Sequence, residues 1–364
     1  MTVPDRVVAR IVGEGEPAAV LKLEQECTPA LLDGECLVEM ILAAVDPCDS
    51  LMMLNIVPPR RDGVPPAHPV VAGGGGVGRI VQVGPGCTRA GLAAGVRVVM
   101  WCWRIFGPAW EEINGTWGTR VVASEHQLVP LPDTVPDAMA AQMINLVTAW
   151  AMVVDPLGLA VQRGHTLLQS GGGSAMGQFI KQLGRALGFR VLSLVRRAEH
   201  AEELRATWGD SDYFVLNDAT DQAALVRELR AAAGGAGADF AVDCVGHTAA
   251  DVMMKSLRAG GTMMLYGLLS STLYTPYITD LTSHNRVLRG FSLQYWWLPD
   301  APDVQKERAF TELFRLIGEG AIRTPAHQRI PFTRLHHAIV VANSQSGYTI
   351  TRSNAGGSSQ AGSS

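Results

Sequence analysis

The sequence predicts a two-domain α/β protein: a β-rich first part followed by a doubly wound parallel sheet. Three observations predict it. A glycine-rich turn, Gly171-Gly172-Gly173, stands between a short apolar run and a stretch with helical apolar spacing. After it, apolar runs alternate with helix-length stretches as far as Leu293. Before it, short alternating runs broken by Gly and Pro fill residues 1 to about 135.

The whole chain sets bounds. Its 364 residues leave room for two domains. With 47% hydrophobic and 18% charged residues it reads as a globular protein. The net charge of -4 supplies no general attraction to nucleic acid or to an acidic membrane. No apolar run approaches the ~20 residues of a bilayer span. The start, Met1-Thr2-Val3-Pro4-Asp5-Arg6, lacks a signal-peptide core and a transit-peptide pattern, so the expected compartment is the cytoplasm. Six cysteines, at 27, 36, 48, 87, 102 and 244, form no CxxC pair and read as reduced, buried thiols.

In the first part, strands are expected at Arg6 to Val12, Gly34 to Ala44 and Val77 to Gly84. Further strands are expected at Val96 to Met100, Thr119 to Ala123 and Leu128 to Leu131. Together they suggest a small barrel or sandwich. Residues 136 to 152 read as one helix. His165 to Leu168 is the first strand of the parallel sheet, and Met176, Phe179, Ile180, Leu183 and Leu187 mark the helix after the turn. Strands follow at 190–195, 212–216, 238–246, 260–267 and 287–293, with helices between the first four of them. A last helix (Val304 to Gly318), a short helix (Leu335 to Asn343) and strands at 330–332 and 348–350 return the chain to its first domain. The Gly/Ser-rich end, 353–364, reads as a disordered tail. Trp101 and Trp103, two apart on a strand, point to one face and read as core.

Strand, glycine turn and helix form the first unit of a dinucleotide-binding fold. The turn lets backbone approach a pyrophosphate, and the helix N-terminus supplies free N–H groups and a positive dipole end. The second strand ends in Val195-Arg196-Arg197, with no carboxylate before Glu199. An Asp or Glu there would bind the ribose hydroxyls of NAD; two guanidiniums suit the phosphate monoester of NADP. The cofactor expected is NADPH, and a solvated helix start is the competing explanation of the arginines.

An ordered set of short pieces resembles the zinc-independent medium-chain dehydrogenase/reductases, and within them the mitochondrial-type 2-enoyl thioester reductases of fatty acid synthesis. Val45-Asp46-Pro47-Cys48-Asp49 resembles the family's Asn-Pro-Ser-Asp turn, and Gly115-Thr116-Trp117 its Gly-Thr-Trp. Asn145-Leu146-Val147-Thr148-Ala149-Trp150 resembles its Asn-Pro-Pro-Thr-Ala-Tyr helix, and 169–178 its Asn-Ser-Gly-Val-Gly turn. Asp243-Cys244-Val245-Gly246, Gly260-Gly261-Thr262, Tyr266-Gly267 and Leu288-Arg289-Gly290-Phe291 follow in family order.

The resemblance implies a GroES-like β-rich domain over residues 1–140, an NADPH-binding Rossmann domain over 141–295 and a return to the GroES-like domain over 296–352. It implies a cofactor site of Asn145, Gly173, Ser174, Ala175, Met176, Arg196, Arg197, Tyr266, Gly267, Leu268, Phe291, Ser292 and Leu293. Tyr348 stands where the family has a C-terminal lysine. It implies a homodimer and a small-molecule substrate, an enoyl thioester or a quinone. Hydride would go to the β-carbon of the enoyl group and a proton to its α-carbon. A non-catalytic NADPH-binding protein is the alternative from another class.

Three departures qualify the resemblance, and zinc is a separate question. The family's proton-donating Tyr falls at Asn55-Ile56, and no Tyr lies in Val57-Pro58-Pro59-Arg60-Arg61, so no catalytic residue is assigned. General acid help is worth about 10²–10⁴-fold; solvent, Tyr274, Tyr277 or Tyr295 are the substitutes considered. Gly73-Gly74-Gly75-Gly76 replaces a stretch that carries a carboxylate in many relatives. Ala175 replaces a glycine. Zinc is not expected, because Asp46 and the glycines stand where zinc-dependent relatives have ligands, and His68 has no evident partner. The run Tyr295-Trp296-Trp297-Leu298 either lines a pocket for an acyl chain or packs in a core or interface.

Overall fold

The computed structural model describes residues 3–54, 69–101, 115–270, 274–293, 301–344 and 348–351. Asn55 to Arg61, His68, Cys102, Trp103, Tyr295 to Leu298 and the 353–364 tail lie outside the described residues. The chain divides into two units, Met1–Met143 with His327–Ser364, and Ile144–Ala326.

Unit one runs through β1 (Arg6–Ile11), α1 (Pro17–Val20), β2 (Leu21–Glu26), β3 (Glu35–Val45), α2 (Pro47–Met53), β4 (Val70–Val71), β5 (Gly75–Val83), β6 (Arg97–Trp101), β7 (Arg120–Ser124), β8 (Leu128–Pro130) and α3 (Asp137–Ala141). Unit two takes α4 (Met143–Val153), β9 (Thr166–Gln169), α5 (Ala175–Leu187), β10 (Arg190–Val195), α6 (Ala198–Trp208), β11 (Tyr213–Val215) and α7 (Gln222–Ala232). It continues with β12 (Ala238–Asp243), α8 (His247–Ser256), β13 (Leu257–Leu265), α9 (Ile278–Thr282), β14 (Val287–Gly290) and α10 (Asp303–Gly318). The return to unit one is β15 (Gln328–Pro331), α11 (Leu335–Ser344) and β16 (Tyr348–Thr351).

Alternating apolar residues make β3 the spine of unit one. It pairs antiparallel with β5, β7 and β16 in a sheet of order β15-β16-β3-β5-β6-β8. A second sheet, β2-β1-β4, is antiparallel throughout. The C-terminal return fills this unit's core: Leu335, Ala338, Ile339 and Ala342 of α11 cluster with Val45, Met53 and Trp117. Trp101, on β6, is fully buried, in keeping with a core residue.

Unit two is a six-stranded parallel sheet of order β11-β10-β9-β12-β13-β14. This is the strand order of a doubly wound dinucleotide fold, with the reversal beside β9. Leu167 and Leu168 are fully buried because a parallel sheet is covered on both faces. Helix α5 lays Phe179, Ile180 and Leu183 on it. Its Lys181, also buried, finds Asp210 at 3.0 Å, Asp212 at 3.6 Å and the Val191 carbonyl at 3.1 Å.

Two expected boundaries differ from the structure. The helix expected over 136–152 is two helices, α3 and α4, broken at the buried Gln142. The chain leaves unit two at 326, not at 295. Helix α10 and the segment after it are bonded there: Gln305 donates to Asp155, Gln182 Nε2 donates to the Arg323 carbonyl at 3.0 Å, and the Arg323 N–H donates to Gln182 Oε1 at 2.6 Å.

Candidate cofactor site at the strand ends of unit two

Parallel pairing places the carboxyl ends of β9, β10, β12, β13 and β14 on one edge. Ser193, Gln169, Val242, Met264 and Arg289 sit in one cross-strand row, and the turns follow directly after it. In open α/β sheets ligands bind outside this edge, at the point where strand order reverses.

The glycine turn is built by hydrogen bonds from the next strands. The Gly172 N–H donates to the Leu194 carbonyl at 3.0 Å and the Ser170 N–H to the Val242 carbonyl at 3.2 Å. Gly171 has φ +62°, the left-handed region that glycine enters without cost. Ser174 caps α5, its Oγ accepting the Gly177 N–H at 3.0 Å. Helix geometry leaves the Ala175 and Met176 N–H groups without intrahelical partners. No other bond claims them or the Gly173 N–H among the described residues. These donors sit at the positive end of the dipole of a 13-residue helix, suited to a pyrophosphate.

The backbone here admits no side chains. A Cβ at Gly172 would lie 2.5 Å from Ser193 Cβ, and one at Gly177 would lie 2.5 Å from the Gly171 carbonyl oxygen. A Cβ at Gly173 would lie 2.1 Å from His200 Cε1. Gln169, fully buried, ties turn, helix and sheet together: its Nε2 donates to the Gly177 carbonyl at 3.0 Å and to Ser193 Oγ at 2.9 Å.

Arg196 and Arg197 stand at the end of β10, both exposed. Arg197 is the residue before the first turn of α6. Neither guanidinium makes an ion pair among the described residues. They are therefore open to an anion next to the glycine turn, with His200 one helical turn further on.

Cys244, at the end of β12, is the hub that joins the remaining pieces. Its N–H donates to Ser170 Oγ at 3.0 Å, and a Cβ at Gly171 would lie 2.9 Å from its Sγ. A Cβ at Gly267 would lie 2.9 Å from Cys244 Cβ. The Tyr266 N–H donates to the Asp243 carbonyl at 2.9 Å, and the Leu269 N–H to the Cys244 carbonyl at 2.9 Å. The Tyr266 hydroxyl is buried beside the Cys244 sulfur without a regular hydrogen bond. Burial pushes the Cys244 thiol up to about 11, so it stays protonated. Burial also raises the Asp243 carboxyl, against the lowering effect of Ser170 and of the Gly246 (2.8 Å) and Val245 (3.1 Å) N–H donors.

The structure thus brings Gly173 to Met176, Arg196, Arg197, Tyr266 and Gly267 to one edge, with Leu268 following them. Phe291 continues β14, its N–H donating to the Leu265 carbonyl at 2.8 Å; Ser292 and the buried Leu293 come next. Asn145 is half-buried on α4. Tyr348 pairs by backbone with Val45 in unit one. Sequence reasoning missed Gly177, His200, Gln169, Ser193 and the hub role of Cys244. Gly177 carried a signal, its regular spacing from the turn; His200 carried none.

Of the substitute acids, Tyr274 packs on the core cluster around Leu168 and Leu257, and its hydroxyl is unpartnered. Burial raises it further above the ordinary phenol range, which weakens it as a donor. Tyr277 is exposed with Lys255 4.7 Å above its ring. Among the described residues no three His, Cys, Asp or Glu side chains group to hold a metal.

Residues 32–133 match the model of the alcohol dehydrogenase GroES-like domain, and residues 175–309 that of the zinc-binding dehydrogenases. The mitochondrial enoyl-[acyl-carrier-protein] reductase of Arabidopsis thaliana is 31% identical over 287 residues, 78% of this chain and 70% of that protein. That of Rattus norvegicus is 29% identical over 343 residues, 92% of this chain and 85% of that protein. A solved Bacillus thuringiensis structure, assigned as an NADPH:quinone reductase, superposes with TM-score 0.80 at 26% identity, covering 96% of this chain and 99% of that one. Fold and site define a medium-chain dehydrogenase/reductase. Within that superfamily, the chain belongs to the family of the mitochondrial-type enoyl-[acyl-carrier-protein] reductases.

Proposed function

We propose that the protein is an NADPH-dependent reductase of a 2-enoyl thioester. One observation carries the cofactor half: two exposed, unpaired guanidiniums flank a glycine turn whose first helical N–H groups are free. Family membership carries the substrate half.

The residues fit the cofactor. The N–H groups of Gly173, Ala175 and Met176 would hold the pyrophosphate, and the missing Cβ atoms at Gly172, Gly173 and Gly177 let it approach. Arg196 and Arg197 would hold the 2′-phosphate. Tyr266 to Leu268, Phe291 to Leu293 and Asn145 would border the nicotinamide half. NADPH, when bound, supplies the hydride that reaches the β-carbon. The chain orients the cofactor and excludes water around it; the α-carbon takes a proton. The position where relatives of this type carry their Tyr is Ile56, outside the described residues.

A quinone or enone acceptor is the second reading. Likeness to the Bacillus thuringiensis protein supports it, as does the missing Tyr, since a quinone makes less demand on one placed acid. The protein is read as a homodimer, which the terminal position of β14 in the parallel sheet supports. It is read as cytoplasmic, which the five free cysteines among the described residues support. No helix of the described residues is long and apolar enough to cross a membrane.

The test is cofactor consumption with trans-2-enoyl-CoA, run beside NADH and a simple quinone. Turnover of enoyl-CoA with NADPH is expected. Replacing Arg196 and Arg197 by Ala should raise the KM for NADPH on the order of 10–100-fold and leave NADH unchanged, as expected for charged hydrogen bonds. Rapid quinone reduction with no enoyl turnover would favour the second reading. A native preference for NADH would overturn the role of the arginines.

A further inference from the structure

Unit one holds a second chemical feature, remote in sequence from the glycine turn. The Cys36 and Cys87 sulfurs are 3.7 Å apart. Cys36 is fully buried on β3, opposite Val83 of β5 and Ala123 of β7. Cys87 is half-buried in the turn after β5, and its thiol also donates to the Glu35 carbonyl at 3.4 Å.

The contact is built by backbone bonds on both sides. The Gly84 N–H donates to the Glu35 carbonyl at 2.8 Å, and the Gly34 N–H to the Pro85 carbonyl at 2.7 Å. The Glu125 carboxylate accepts the Thr88 N–H at 2.7 Å and the Arg89 N–H at 2.6 Å. Both cysteines are therefore anchored within one or two residues of a fixed hydrogen bond. Such placement makes their reaction effectively unimolecular. A disulfide of about 2.05 Å requires the sulfurs to close by less than about 2 Å, within reach of side-chain rotation.

We propose that Cys36 and Cys87 form a reversible intrachain disulfide when the protein meets hydrogen peroxide, Cys87 being oxidised first and Cys36 resolving it. In the first step the Cys87 thiolate attacks one peroxide oxygen and the O–O bond breaks. The products are Cys87 sulfenic acid and hydroxide, which takes up the proton lost from the thiol to make water. In the second step the Cys36 sulfur attacks the Cys87 sulfur. The S–O bond breaks, the S–S bond forms, and the hydroxyl leaves with the Cys36 proton as a second water. Two thiols and one peroxide give one disulfide and two waters, two electrons passing from sulfur to oxygen.

The order follows from exposure. Peroxide reaches the half-buried Cys87 and not the fully buried Cys36. Burial, with Cys87 and Glu125 nearby, also pushes the Cys36 thiol up to about 12, so it stays protonated and does not meet the peroxide as a thiolate.

The test uses the full chain under native conditions. Hydrogen peroxide is added, remaining thiols are alkylated, and a non-reducing digest is read by mass spectrometry. The expected result is a linked Cys36–Cys87 peptide that a dithiol reductant reverses. In Cys36→Ala the expected product is a dimedone adduct at Cys87, larger than in the natural protein, because the resolving thiol is gone. The proposal is overturned by any of three results. The linked peptide is absent while the similarly half-buried Cys27 or the exposed Cys48 takes up the oxidant. It forms only in urea. Or Cys36→Ala shows no gain of dimedone at Cys87.

Discussion

Two glycine runs look alike in the sequence and serve opposite ends. Gly171 to Gly173 closes a turn at the sheet edge of unit two, with N–H groups left open. Gly73 to Gly76 lies between β4 and the start of β5 in unit one, and its surroundings are filled. A Cβ at Gly73 would stand 2.3 Å from Trp117 Cδ1 and 2.6 Å from Thr116 Oγ1; one at Gly76 would stand 2.7 Å from Met40 Cε. The Gly-Thr-Trp motif explains the crowding. Thr116 Oγ1 donates to the Gly75 carbonyl at 3.0 Å, and Trp117 Nε1 donates to the Ala44 carbonyl at 2.8 Å. The first run leaves room for an anion from outside. The second spends an N–H, that of Gly74, on an internal carboxylate, Asp49. Glycine marks close approach of backbone; what approaches is decided by the elements around it.

The comparison breaks most visibly at Gly73. Gly73→Ala meets a buried indole and a φ of +102° that L-residues resist. Overpacking and backbone strain together should cost about 3–5 kcal/mol, seen as a lower urea midpoint. Cofactor affinity of the folded fraction should stay as it was. A neutral midpoint would show that the run is not packed as described.

Gly177→Ala should act on the cofactor instead. Its Cβ would lie 2.5 Å from the Gly171 carbonyl and 2.8 Å from Gly172 Cα, backbone that cannot swing away. The helix must shift off the turn, and NADPH binding measured by calorimetry should weaken about 10²-fold, the usual consequence of a misplaced site. Unchanged affinity would detach the turn from the cofactor.

Gly173→Ala is a milder probe, because its obstacle is a side chain. The His200 ring can rotate, so the cost should be about 1 kcal/mol in stability, and Gly173→Ala with His200→Ala should recover most of it. Strict additivity in that cycle would mean that the two residues do not touch.

The gentlest effect is one of pH. Burial and the nearby Asp46 push the Asp49 carboxyl up to about 8, despite the N–H groups of Asp46 (2.8 Å) and Gly74. Between about pH 4 and pH 8 the folded chain keeps a proton there that the unfolded chain releases, so this group makes stability fall as pH rises through that window. Asp49→Asn cannot ionise and should show a flatter profile of urea midpoint against pH. An equal slope in both proteins would place the carboxyl in a more solvated setting.

Local order was legible where one face or one run carried the signal. Arg190–Val195 was read to the residue, because a strand buried on both faces is a continuous apolar run. The helix expected between the strands at 212–216 and 238–246 is α7, and the structure adds its cap, Asp221, whose Oδ1 accepts the Ala224 N–H at 3.0 Å. Strand β2 was not read. Its Lys22, Glu24 and Glu26 are polar, and it exists because β1 supplies a partner and Arg10 holds Glu26 at 2.8 Å. The short helix α2 was hidden inside a motif read as a turn.

By itself, the sequence determined the class of fold, the glycine turn on α5 and the arginines at the end of β10, because each depends on neighbours within a few residues. Only the tertiary structure decided which distant pieces meet. It set β16 against β3, kept α10 with unit two, and laid His200 over Gly173. It also put the Cys244 sulfur beneath Gly171 and Tyr266. The physical reason is that strand order and helix packing are settled by the burial of apolar faces summed over the whole unit. No local periodicity records which strand end will lie beside which.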